Sequence, residues 1–186
     1  QHKNMKKIWD KKGGVEINKA VEDYTVGIDY LLDWELLPYD IRGSLAQAKM
    51  LHKIKIISAK ELGNAVKGLN EILTLWKEGK FTINKSQEDS STAIEMYLTE
   101  HYGDVGKKIH TGRSRNDQVI TTTRLFTKEK LLDTRKDVQK LIVELEIQIK
   151  KKGKVLMPGY THMQRAMPSS VGMWLGSYHE ALEDDL

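Results

Sequence analysis

The 186-residue sequence predicts an all-α fold, in which a small N-terminal helical domain is followed by the start of a long-helix bundle domain. Three observations carry that prediction. Apolar residues recur at spacings of three and four through most of the chain, capping residues and glycines mark where helices begin and end, and no stretch alternates apolar with polar side chains convincingly enough for a sheet. Composition agrees with a globular chain, with 39% hydrophobic and 30% charged residues.

Taken in order, Gln1 to Asn4 precede Met5, a plausible natural start, and the mixed pattern from Val15 to Tyr30 reads as an irregular arm with a short helix. Asp33, Leu36 and Leu37 lead to Pro38, which is expected to interrupt any helix, because proline has no amide hydrogen and its ring crowds the preceding turn. A new helix is then expected near Tyr39, carrying Ile41, Leu45, Ala48 and Leu51 on one face.

Ser58-Ala-Lys-Glu61 is a capping box, in which serine and glutamate each satisfy the free N–H at the other's end. It opens a helix with Leu62, Val66, Leu69, Leu73 and Trp76 on one stripe, and Gly79 is placed to end it. Phe81 to Ser90 reads as a loop. The next helix is expected from about Ser91 to Tyr102, burying Ile94, Tyr97 and Leu98, with Gly103 closing it.

Gly112 is followed by Arg113, Ser114, Arg115, Asn116, Asp117 and Gln118, six polar side chains before Val119 and Ile120 resume an apolar pattern. Such a run at a glycine-to-helix junction suits an anion, since the first helical turn has unpaired N–H groups and arginine can grip a carboxylate with two parallel bonds. The same residues suit helix capping, and Ser114, Asn116 and Asp117 can each serve that purpose. Leu131, Val138, Leu141, Ile142, Leu145 and Ile149 then mark one amphipathic helix running to Gly153. At roughly 35 residues, or about 50 Å at 1.5 Å per residue, it exceeds what a small compact domain covers by itself, so it calls for partner helices. Pro168, Ser169 and Ser170 start a last helix with a stripe of Val171, Trp174, Leu175, Tyr178 and Leu182.

The domain change is placed at Thr111/Gly112, giving 1–111 and 112–186. With no cysteine, disulfides and thiolate metal sites are excluded. No apolar run approaches the ~20 residues that cross a bilayer, and the N-terminus lacks the apolar core of a signal peptide, so a soluble cytoplasmic protein with no membrane partner is expected. The net charge of +4 permits anionic partners. The lysines are scattered, however, and two Phe with four Trp leave little surface for stacking bases, which argues against nucleic acid.

GRSRNDQV at Gly112–Val119, preceded by KKIHT, and MPGYTHMQRAMPSS at Met157–Ser170 resemble, in order, the first two signatures of the argininosuccinate lyases and delta crystallins. The likeness extends from Trp9 through YDIRGSLAQAKML at Tyr39–Leu51. What the resemblance implies is cleavage of argininosuccinate to arginine and fumarate by elimination, with no metal or organic cofactor, in a homotetramer whose long helices form a central bundle. It implies that Ser114, Arg115 and Asn116 contact the substrate, that His162 transfers a proton and that Thr161 works beside it. Gln164 and Tyr160 could bind polar substrate groups or could equally fix the loop, and Asp29 aligns with a family serine that touches substrate.

His162 also suits proton transfer on its own chemistry, since imidazole titrates near neutrality. Arg113 or Arg115 could instead only pair with an acidic side chain of a neighbouring helix, a reading given mainly to Arg113; Asp117 is read as a cap or orienting acceptor, and His110 as structural support. The chain departs from the family at Ser91, where a histidine is usual. It also lacks the third signature, GSSxMPxKxN, whose serine the family assigns to the key proton. The chain therefore looks like the N-terminal part of a longer lyase, expected to be inactive alone.

Overall fold

The computed structural model describes residues 19–186, so the arm expected from Val15 is seen only from Lys19 onward. The described chain is seven α-helices, one 3-10 turn and one two-stranded hairpin, in the order α1 (Lys19–Val26), α2 (Asp29–Lys53), α3 (Ala59–Lys77), a 3-10 turn (Lys85–Gln87), α4 (Ser90–Tyr102), α5 (Val105–Lys108), α6 (Arg115–Lys152), β1 (Leu156–Thr161), β2 (Gln164–Ser170) and α7 (Val171–Asp184). Contacts divide the described residues into two compact units, 19–126 and 127–186, with the division falling inside α6.

In the first unit α2, α3 and α4 pack around a core of Leu37, Ile41, Leu51, Leu69, Ile72, Ile94, Leu98, Val105 and Ile109, all at most 1% exposed. Full burial of each large aliphatic side chain stabilises by about 1.5–3 kcal/mol. The box at Ser58 forms as the sequence predicts. Glu61 N donates to Ser58 Oγ at 3.2 Å and Ser58 N donates to Glu61 Oε2 at 2.8 Å. Gly68 sets how closely α3 meets α4, since a Cβ there would stand 2.8 Å from the Tyr102 ring and nearer still to Leu98. Helix α4 starts one residue earlier than expected, with Asp89 as its cap.

Pro38 does not interrupt α2, which runs unbroken through it. The carbonyl that the missing amide would have served belongs to Trp34, and it accepts instead from the indole N–H of Trp76 at 2.8 Å. The Trp34 indole in turn donates to the Phe81 carbonyl at 3.0 Å, and the two indole rings lie 5.3 Å apart. A proline inside a helix costs about 3 kcal/mol, much of it from such an orphaned acceptor. Supplying a donor from α3 removes that part.

In the second unit the hairpin is the other departure from the sequence reading. β1 and β2 pair antiparallel from Leu156↔Ser170 to Thr161↔Gln164, with an irregularity between Pro158 and Tyr160. No side chain of either strand is buried, so the hairpin has no core face for a sequence pattern to record. The start of α7 is tied down by Val171 N donating to Val155 O at 3.0 Å and Gly172 N donating to Gly153 O at 3.1 Å. Ser170 caps α7 by accepting from Met173 N at 3.1 Å.

Candidate functional site

The polar junction builds one cluster of candidate residues. Gly112 takes φ +73°, a left-handed turn that lets the chain double back into α6. Ser114 and Asp117 then form a reciprocal cap. Asp117 Oδ2 accepts from Ser114 N at 2.9 Å and from Ser114 Oγ at 3.0 Å, and Asp117 N donates to Ser114 Oγ at 3.2 Å. Those bonds to Ser114 hold the Asp117 carboxyl below its usual range. Ser114 is thus the N-cap of α6 and Asp117 the acceptor that orients it, and Ser114 and Asn116 stay exposed.

The two arginines diverge. Arg113 turns inward, donates from Nη2 to the buried Ser44 hydroxyl at 3.3 Å and lies in the field of Asp40, which is 2% exposed. Burial pushes the Asp40 carboxyl up, while hydroxyls from Ser90 at 2.8 Å and Ser91 at 3.2 Å, together with Arg113, pull it back. Arg115 turns toward the start of α4. Its Nη1 pairs with Asp89 Oδ2, its Nη2 donates to Thr92 Oγ1 at 2.9 Å, and its side chain is 50% exposed.

Beneath the junction, burial and the neighbouring Arg113 push the His110 imidazole down to about 4, so it is neutral at pH 7. Gln118 donates to His110 Nδ1 at 2.6 Å, which leaves the imidazole hydrogen on Nε2, 3.5 Å from Glu95. Asp29 is the exposed first residue of α2. Its charge reaches Asp33, whose carboxyl burial pushes up and which accepts from Ser90 N at 2.9 Å. Asp29, Asp33, Asp40 and Asp89 thus converge electrostatically near the start of α4.

The hairpin tip builds a second cluster. Thr161 pairs with Gln164 across a two-residue loop of His162 at φ +46° and Met163 at φ +62°. Two successive left-handed residues are what the tightest hairpin loops require, and here neither is glycine. Tyr160, Thr161, His162 and Gln164 are all exposed. Holding a non-glycine residue left-handed costs about 1 kcal/mol or more, and such backbones concentrate at functional sites.

Ser114, Arg115, Asn116 and Asp29 thus belong to the first unit, and Tyr160, Thr161, His162 and Gln164 to the second. The acceptors of Arg115 escaped the sequence reading, although Asp89-Ser-Ser-Thr92 carried a usable signal: aspartate caps helices readily, and a cap at Asp89 sets Thr92 one turn on. Among the described residues no group of His, Cys, Asp and Glu could hold a metal ion, and no helix is long and apolar enough to cross a membrane.

A family profile described as Lyase matches residues 19–186. The argininosuccinate lyase of Bacteroides fragilis is 43% identical over 180 residues, covering 97% of this chain and 40% of its own length. That of Thermotoga neapolitana is 41% identical over 184 residues, covering 97% of this chain and 45% of its own length. The chain therefore spans about two fifths of the length of these curated relatives. Among solved structures, an EDDS lyase in complex with formate superposes with a TM-score of 0.69 at 25% identity, over 92% of this chain and 34% of that one. A fumarate lyase:delta crystallin from Brucella melitensis reaches 0.70 at 18% identity, over 90% of this chain and 42% of that one, a likeness of fold alone.

Proposed function

The chain belongs to the lyase family, and from that premise we propose that it is the N-terminal part of an argininosuccinate lyase. In this reading the complete protein splits argininosuccinate into arginine and fumarate, in the cytoplasm, as a cofactor-free homotetramer serving arginine biosynthesis. The observation that carries the reading is the identity of 43% to argininosuccinate lyases across nearly the whole chain, over both polar segments.

The elimination needs a base for a carbon-bound proton, a grip on the carboxylate whose charge grows as that proton leaves, and an acid for the departing guanidino nitrogen. Ser114, Arg115 and Asn116 supply the grip at the helix start, where amide N–H groups and the dipole favour negative charge. Electron density from the broken C–H bond becomes the new double bond as the C–N bond breaks. His162 moves a proton in this sequence, with Thr161 touching the substrate beside it. Tyr160, Gln164 and Asp29 contact its remaining polar groups. The domain of residues 112–186 begins the bundle that brings these segments together between subunits.

Without the glycine-serine loop of the third signature the chain alone is inactive. The purified chain is expected to form no fumarate, followed by ultraviolet absorbance, and mixing it with a complementary C-terminal piece restores turnover. Fumarate release by the chain alone would refute its inactivity. Assembly of the two pieces without turnover would instead favour a structural, crystallin-like role. A second reading, a sister lyase with a different substrate, is favoured by the fold shared with an EDDS lyase variant solved with bound fumarate at 25% identity. Screening the assembled protein on argininosuccinate, adenylosuccinate and aspartate separates the two.

A further inference from the structure

We infer that Asp89 is a positioning residue for Arg115, holding its guanidinium in one plane from the N-cap of α4; the inference rests on the reading of Arg115 as a carboxylate grip. Asp89 uses its two oxygens differently. Oδ1 accepts the Thr92 amide at 2.7 Å and so is fixed to the helix, while Oδ2 faces Arg115 Nη1. The Thr92 hydroxyl accepts from Nη2 at 2.9 Å. One turn of α4 therefore engages both terminal nitrogens of the guanidinium, and the planarity of that group fixes where its remaining N–H bonds point.

The clamp is itself anchored. The residue after Asp89 donates its amide to Asp33 at 2.9 Å and its hydroxyl to the buried Asp40 at 2.8 Å, so the α4 terminus is bolted to α2. Arg115 is half-exposed whereas Asp89 is only 26% exposed, so the charge that solvent and ligand can reach is the arginine's. An ion pair this accessible adds little to stability. Its contribution is geometric: a guanidinium already held in place meets an anion without first losing rotamer freedom.

The direct test is nitrogen-15 spectroscopy of the 186-residue chain. Clamped Nη groups give separate, slowly rotating signals. In Asp89→Asn, which keeps a capping acceptor for Thr92 but removes the charge, those signals are expected to merge while the Thr92 amide stays protected from hydrogen exchange. Thr92→Val gives a smaller change of the same kind. An unchanged Arg115 spectrum in Asp89→Asn overturns the inference. So does joint loss of α4 protection in both variants, since Asp89 would then be only a cap. In the complete lyase Asp89→Asn is expected to raise KM about tenfold, with Arg115→Lys on that background adding no more than about twofold. Independent multiplication of the two losses overturns the clamp and leaves the lyase reading standing. No argininosuccinate turnover by the wild type overturns that reading and leaves the clamp to the spectrum.

Discussion

The two units use apolar residues in opposite ways. In the first, leucines and isoleucines from α2, α3 and α4 close on one another. In the second, only Ile142 among the described hydrophobic side chains is buried, while Leu131, Leu132, Leu141, Val143, Leu156, Met173, Trp174 and Tyr178 stay exposed. Helix α6 is instead decorated with local pairs, Lys136 to Asp133 at 3.0 Å, Lys140 to Asp137 at 2.8 Å and Gln148 to Glu144 at 2.7 Å. Solvent screens such exposed pairs, so they add little to stability. One region is stabilised by its own interior, and the other carries exposed apolar side chains that the proposed tetramer would cover.

Breaking the contrast at its most sensitive points should give effects of descending size. His162→Asn in the complemented enzyme is expected to lower kcat about 10²- to 10⁴-fold with no shift in Tm, because the exposed turn carries little of the stability. Leu69→Ala should cost about 2–5 kcal/mol in denaturant unfolding of the first unit, whereas Leu131→Ala should stay within about 0.5 kcal/mol. Equal losses from the two would erase the distinction. Ser58→Ala removes one half of a reciprocal cap and should cost about 1 kcal/mol, seen as a modest drop in Tm.

Acid titration sharpens the same contrast. His110 has a folded value near 4 against 6.5 when unfolded, so its neutral form is favoured by folding. Its contribution is complete above pH 6.5 and is lost as pH falls toward 4. The Lys108 hydrogen bond and the Ser58 bonds hold Glu61 down to about 2, against an ordinary 4.5. That contribution begins to fall only below pH 4.5. The first unit should therefore lose stability in two acid steps, and His110→Gln should remove the earlier one. A single step near pH 3 in both proteins would contradict the assignment.

Local chemistry made much of the fold legible. The Ser58 box, the stops at Gly79 and Gly103, and the long helix to Gly153 all depend on residues within a turn or two of one another, and all were readable. What failed was nonlocal. Nothing around Pro38 announces that Trp76, 38 residues later, will occupy the carbonyl of Trp34. The hairpin was invisible because its strands hide neither face, and α5 is too short to leave a period. At the site, sequence distinguished Arg113 from Arg115 by likeness alone, whereas the fold separates them by direction, one toward Asp40 and the other toward Asp89. The left-handed backbone at His162 had no signal either, since neither residue of that turn is the glycine or asparagine that would betray it.

The indole that stands in for an amide beside Pro38 also sets an order in time. As the polypeptide emerges from a ribosome, the segments on either side of the proline can each coil early. They gain their substitute bond only when the chain through Trp76 has been made and α3 has folded back. The second helix is therefore finished by the third, and in a nascent chain arrested before Trp76 the Trp34 carbonyl would still lack its indole donor.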